Sequence, residues 1–526
     1  MRVFVNAVFH SCEDQNRTFN ALAEEKGRVA WVGEERELPP RFQKAERVDL
    51  GGRCAVPAFG DTHMHFESYA LFGSTVDVRE ARNFDEMGAM LRAYLEKHPR
   101  AKFLPAYGCS AHTVAEGRLP RRRDLDRMVE LPLLIVKYDG HAAVANSALI
   151  AQFPREVTGD PGFDGESGWL YQNAFYRGVN HITAQVPPLA VLGSMAAAAD
   201  RLAEKGIGFV HTVEGVGYRN DIDVDTIRFT RYGLPQAFRI FFQTMEVEKA
   251  QKRGMKRIGG CFSLALDGCF GSEDAALSRP YDNDPGNTGF LAYTQQEVDA
   301  FCIQANRAGM QIAVHAIGDR AVEQAVRAFE AALRDYPRRD HRHTIIHADL
   351  IPPDLQDRAA ALGLQIALQP PFLDWAQEPG DYLERILGDR AREILPLRSL
   401  LDRGILLSAG SDAPCTLPDP IQSIHACCNH PDPAQRLTPL EALKLHTSWA
   451  AKASFDEGKH GSLVPGAVCD LAVLEQDPLA LPPERQRENR VAAVYYRGRR
   501  HAPARGGPLG LVVRSAWNRL FARDLK

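Results

Sequence analysis

Two spacings of apolar residues alternate along most of this chain. Short apolar runs such as GIGFVHTVEG (206–215), GMQIAVHAIGD (309–319), HTIIHADL (343–350), GLQIALQPP (363–371) and GILLSAGSD (404–412) have the length of buried strands. Between them lie stretches with apolar residues at i, i+3, i+4 and i+7, among them TQQEVDAFCIQANRAG (294–309) and DRAVEQAVRAFEAALRDY (319–336). Apolar strands separated by amphipathic helices predict βα units around a parallel sheet. CAVPAFGDTHMH (54–65) and PLLIVKYDGH (132–141) extend the series, and QAFRIFFQT (236–244) and GGCFSLALDG (259–268) compete for its fourth position. The fold this predicts is α/β, a (β/α)₈ TIM barrel over residues 56–459. The stretch from about 68 to 130 is too long for one connection and reads as an inserted lid or subdomain.

The two ends of the chain have a different texture. MRVFVNAVFHS, GRVAWVGE and RVDLGGRCAVPAF at the start, and 461–476 and 489–500 near the end, are strand-like runs between Gly and charged turns. Residues 1–55 and 460–526 are therefore expected to meet in one small β-sandwich domain. The segment AWNRLFARDL (516–525) predicts a short amphipathic helix in a basic tail.

Composition narrows the class without changing this picture. A net charge of −4 over 526 residues suggests no nucleic-acid or membrane-surface partner. The first residues lack the basic and apolar regions of an export signal, and no apolar run is long enough for a membrane helix. Ten scattered cysteines without a CxxC pair fit a reducing compartment, and a cytoplasmic location is expected.

The chemistry lies at the strand ends, where barrel enzymes build their sites. The first strand ends in Asp61-Thr62-His63-Met64-His65, and side chains two apart on a strand point the same way. His315, His347 and Asp412 end three later strands. Four imidazoles and a carboxylate suit one or two divalent ions, with zinc the natural choice for N and O ligands.

This order of HxH, two single histidines and a closing Asp resembles the amidohydrolase superfamily. The chain looks most like its branch of N-substituted formamide deformylase and YtcJ-like hydrolases. The text that carries the likeness is VPAFGDTHMHF, KYDGHAAVANSAL, LDGCFGSEDAAL, AVHAIGDRAV, IIHADL, GSDAP and LTPLEALKLHTSWAAKASF. The resemblance implies that His63 and His65 hold the more buried metal and that His315 and His347 serve the second metal or the water. Asp412 would ligate metal and act as general base, then as proton donor. Many members also carry a lysine, four residues before an Asp-Gly, whose carbamate bridges two metals; here that position is Ser263. Three alternatives stand for the bridge: Lys137 at the end of LLIVK, Glu214 in HTVEG, or a mononuclear site with none. Lys137 equally reads as a salt-bridging lysine, and Glu214 as a hydrogen-bonding strand end.

His141 in DGHAAVAN is a candidate catalytic residue that would bond a substrate carbonyl, and Asp267 a candidate for orienting loops or ligands. Phe66, Phe372 and Trp375 would give the pocket an apolar wall. The expected activity is metal-assisted hydrolysis of a C–N bond in an amide or formamide-like small molecule. A deaminase or another hydrolase on the same scaffold is the alternative, and a catalytically silent metal-binding protein a third reading. The β-rich ends and the lid offer surfaces for a homodimer.

Overall fold

In the computed structural model of the protein, residues 1–216, 218–503 and 506–521 are described, excluding the side chains of Arg219, Phe262 and Ser263. The Ser263 position singled out by sequence, and residues 522–526 of the tail, thus lie outside the described part. The centre is a ring of eight parallel strands. We label them β1 (Phe59–Met64), β2 (Ile207–Glu214), β3 (Ala237–Phe242), β4 (Arg257–Ala265), β5 (Gln311–Ala316), β6 (Thr344–His347), β7 (Gln365–Leu368) and β8 (Leu406–Ala409). The ring closes just beyond β8, where Asp412 N–H donates to His63 C=O (2.8 Å) and His65 N–H to Ala413 C=O (2.8 Å).

Helices cover the outside. Gln295–Arg307 starts at a capping box, with the Thr294 hydroxyl accepting from Glu297 N–H and the Glu297 carboxylate accepting from Thr294 N–H. It buries Val298, Phe301, Cys302 and Ala305, the stripe expected from the sequence. Asp319–Asp335 does the same with Val322, Ala325, Val326 and Phe329. Both pack into one continuous apolar core beneath the strand ends.

The strands Arg2–His10, Ala21–Glu25, Arg28–Gly33 and Glu46–Pro57 join Leu471–Leu474, Val491–Tyr496 and Arg499–Arg500 in one sheet. Leu471–Leu474 runs antiparallel to the last turns of Glu46–Pro57, which leads directly into β1. The tail forms a helix over Gly507–Phe521 that rests on the barrel helices Pro188–Glu204 and Ile222–Thr230.

Three expectations are corrected. Leu133–Lys137 is not a barrel strand; it pairs in parallel with Leu104–Cys109 inside a separate six-stranded sheet. Its apolar run is fully buried, and such a run looks the same in any buried parallel pair. The insertion therefore does not stop near 130: its sheet spans Val76–Asp77 to Trp169–Tyr171 and is followed by the helix Gln172–Thr183. The two segments that competed for one position are both barrel strands, β3 and β4.

Candidate active site

The C-terminal ends of β1, β4, β5, β6 and β8 surround one buried group of side chains. His63, His65, Cys261 and Asp412 have ligand atoms within 4.8 Å of one another, and so do Cys261, His315 and His347. Asp412 Oδ1 is 3.0 Å from His63 Nε2 and 3.3 Å from His65 Nε2. The His63 ring lies 5.4 Å from that of His65 and 5.6 Å from that of His347, which is 4.6 Å from that of His315. All six side chains are buried.

The local sequence explains how they get there. The Asp61 carboxylate accepts from the Ser411 hydroxyl (2.6 Å), Ser411 N–H (3.1 Å) and His63 N–H (3.2 Å), which pins the HxH segment to the GSD segment. A Cβ at Gly410 would lie 2.4 Å from His63 N, so only glycine permits the strands to approach this closely. His347 and Asp412 have φ of 73° and 55°. Left-handed backbone in non-glycine residues costs on the order of 1 kcal/mol each and concentrates at functional sites.

Asp267, beyond β4, accepts from Ile317 N–H (3.0 Å), Gly318 N–H (2.8 Å) and Ala276 N–H (2.9 Å), fixing the loop after β5. His315 Nε2 is 3.2 Å from Gly268 C=O. A carbonyl only accepts, so the proton is on Nε2 and the lone pair on Nδ1. That Nδ1 is buried with no hydrogen-bond partner, while Asp412 Oδ1 meets only the ring nitrogens of His63 and His65. Buried polar atoms are normally satisfied, and an unsatisfied lone pair facing such a group calls for an ion or water. Burial drives the imidazoles toward the neutral, ligating form: His347 is lowered to about 3, and His65 and His315 are lowered as well. Burial raises Asp412, but His63 and His65 override it and hold the carboxylate ionised. Neutral imidazoles, an ionised carboxylate and a thiol are a donor set that fits a borderline divalent ion.

His141 also faces this site, its ring 6.0 Å from that of His315. Neither bridge candidate joins it. Lys137 Nζ donates to Asp139 Oδ2 (2.7 Å), Ser272 Oγ (2.7 Å) and Gly271 C=O (3.0 Å). Its three donors are spent, and it is the salt-bridging lysine of the alternative reading. Glu214 accepts from the Thr212 hydroxyl (2.5 Å) and Glu67 N–H (3.2 Å), and so anchors the helix that follows the HxH segment. Burial, then Asp223, raises Glu214 to about 8.

Phe372 and Trp375 stack at 4.8 Å on the cavity wall, Phe372 lying parallel to His347. Phe66 does not reach the cavity; it packs on Phe238 in the core. The inserted subdomain adds an apolar recess beside His65, lined by Phe72, Tyr107, Phe175 and Tyr176.

Cys261 is the residue that sequence reasoning missed. It lies two positions before Ser263 in the sequence. The pairing of β4 with β5 shifts register between Gly260 and Ala265, so counting back from Asp-Gly does not identify the side chain that reaches the centre.

A parallel barrel with imidazoles, a carboxylate and a thiol converging at its C-terminal mouth is the architecture of a metal-dependent hydrolase. The amidohydrolase family profile matches residues 46–502, and the chain belongs to that family, in the branch that contains YtcJ. It is 26% identical to YtcJ of Bacillus subtilis (strain 168) over 90% of this chain and 94% of that one. It is 23% identical to the N-substituted formamide deformylase of Arthrobacter pascens, over 94% of this chain and 97% of that one. Its fold is similar to that of an uncharacterized metal-dependent hydrolase from Pyrococcus furiosus, with a TM-score of 0.72, 24% identity, and coverage of 91% of this chain and 99% of that chain.

Proposed function

We propose that this hydrolase cleaves the C–N bond of a non-peptide amide or formamide-like small molecule, using divalent metal ions, zinc by preference, and Asp412 as general base. The observation that supports this most is the convergence of His63, His65, Cys261, His315, His347 and Asp412 from five strands, with the buried His315 Nδ1 left unpartnered. A divalent ion held there supplies Lewis acidity, lowering the pKa of water and polarising a carbonyl. Asp412, ionised at the inner wall of the cavity, takes the proton of the attacking water and returns it to the leaving nitrogen. His141, which lines the same cavity, donates to the substrate carbonyl oxygen. Phe372 and Trp375, with the recess around Phe175 and Tyr176, bind a compact apolar acyl or N-substituent and exclude water. The likeness to a formamide deformylase supports the choice of bond. The ten unpaired thiols support a reducing location such as the cytoplasm.

The test is a product screen. Purified protein is incubated with N-substituted formamides, acetamides, dipeptides and amino-heterocycles, and free amine, carboxylate and ammonia are measured. Amine plus carboxylate from the non-peptide amides, lost with a chelator and restored by zinc, is expected. Ammonia from the heterocycles alone would make the protein a deaminase, and turnover of dipeptides alone would make it a peptidase.

A further inference from the structure

Cys261 belongs to both groups of ligand atoms, His63–His65–Cys261–Asp412 and Cys261–His315–His347. Its Sγ is 3.0 Å from His63 Nε2 and 3.8 Å from His347 Nε2. Metal–ligand bonds of about 2.0–2.3 Å at tetrahedral angles put neighbouring donors roughly 3.3–3.8 Å apart. The 3.8 Å to His347 falls in that range and the 3.0 Å to His63 lies just below it, so small outward shifts on binding would let the sulfur share one ion with His63 and another with His347.

The other sources of a bridge are used elsewhere. The Lys137 ammonium is held by Asp139, Ser272 and Gly271, and Glu214 by Thr212 and Glu67. The two further thiols on the cavity wall belong to neither group of ligand atoms: Cys269 Sγ donates to Asp139 Oδ2 and Cys415 Sγ to Asp139 C=O, each at 3.3 Å. Asp139 therefore gathers a cation and two thiols, and Cys261 is left facing the histidines.

We propose that Cys261 is the ligand shared by two metal ions, one completed by His63, His65 and Asp412 and the other by His315 and His347. The proposal rests on the metal-dependent hydrolase reading. The thiol proton leaves to solvent as the ions bind, so loading is pH-dependent. Two four-coordinate ions have eight positions. Four imidazoles and a carboxylate fill five, a shared sulfur fills two, and one stays open, as a catalytic site requires. A soft sulfur at the centre also selects zinc, cobalt or cadmium over magnesium and calcium.

The experiment is zinc X-ray absorption on the full-length, zinc-loaded protein, with metal per chain measured on the same sample. The expected result is two zinc ions per chain and a sulfur shell near 2.3 Å averaging one sulfur per zinc. In C261S that shell disappears, the nitrogen and oxygen shell remains, and zinc falls toward one per chain. The cobalt-loaded wild type should show a thiolate-to-cobalt charge-transfer band in the near-ultraviolet, absent in C261S and kept in C415S. Half a sulfur per zinc would make Cys261 a terminal ligand and overturn the sharing. Bound zinc with no sulfur shell in wild type would overturn the ligand assignment while leaving the hydrolase reading intact. Should C261S fail to fold, the wild-type sulfur count still decides. Wild type that binds no metal would end both readings.

Discussion

The chain gathers histidine, cysteine and aspartate twice. His10, Cys54 and Asp477 come within 4.8 Å of one another in the terminal sheet, as the site residues do at the barrel mouth. His10 and Cys54 are as deeply buried as His63 and Cys261. What differs is satisfaction. His10 Nε2 meets Asp477 Oδ1 at 3.0 Å and its Nδ1 meets Asn16 Nδ2 at 3.0 Å, so both ring nitrogens are used. At the barrel mouth His315 Nδ1 has no hydrogen-bond partner, and Asp412 Oδ1 meets only the ring nitrogens of His63 and His65, at 3.0 and 3.3 Å. Residue type and burial alone would make both places metal sites. Hydrogen-bond accounting makes the first a structural strut and leaves the second as the candidate ligand set.

The sharpest way to break this comparison is Asp412→Asn. The amide keeps the shape and an acceptor oxygen but loses the base, so kcat should fall roughly 10²–10⁴-fold while elemental analysis shows most of the metal retained. Unchanged turnover would remove Asp412 from the chemistry. Lys137→Met comes next. It strands Asp139 as a buried charge and should cost about 3–5 kcal/mol of stability in urea titration, with metal per chain unchanged. Loss of metal in this variant would return Lys137 to the site.

Acid should separate folding from ligation. His211 and His460 are lowered by burial to about 3, and His446 to about 4. All three lie outside the ligand group. Each is neutral in the fold, while its unfolded counterpart protonates near 6.5. Their contribution is complete above about pH 6.5 and is lost as pH falls toward 3–4, at up to about 1.4 kcal/mol per pH unit each. Urea midpoints of metal-free protein should therefore drop steadily below pH 6.5; a flat profile to pH 4 would contradict their burial as neutral rings. His10→Ala is the smallest effect. It should cost about 1–3 kcal/mol and change neither metal content nor kcat.

Much of the barrel and most of its candidate ligand set are legible in the sequence. The strand-end pattern of His63, His65, His315, His347 and Asp412 needs only alternation and the rule that barrels work at their C-terminal ends. Leu133–Lys137 reads as a barrel strand because a fully apolar run carries no information about which sheet buries it. The extent of the insertion is obscured for the same reason, since its strands look like barrel strands. Cys261 is invisible in the sequence because no motif marks it and the pairing of β4 with β5 shifts register where it lies. Lys137 and Glu214 each have one partner two residues away, Asp139 and Thr212, but the rest, Gly271, Ser272 and Glu67, come from distant segments and leave no local signal.

The central claim is that the barrel-mouth set holds metal. The deciding measurement is metal per chain, by elemental analysis after zinc loading and desalting, in wild type, the double variant His63→Ala/His65→Ala, and His10→Ala. Bound zinc is predicted in wild type and in His10→Ala, with a loss of at least half in the double variant and hydrolysis lost alongside. Zinc that stays bound without His63 and His65, or that leaves with His10, would contradict the claim.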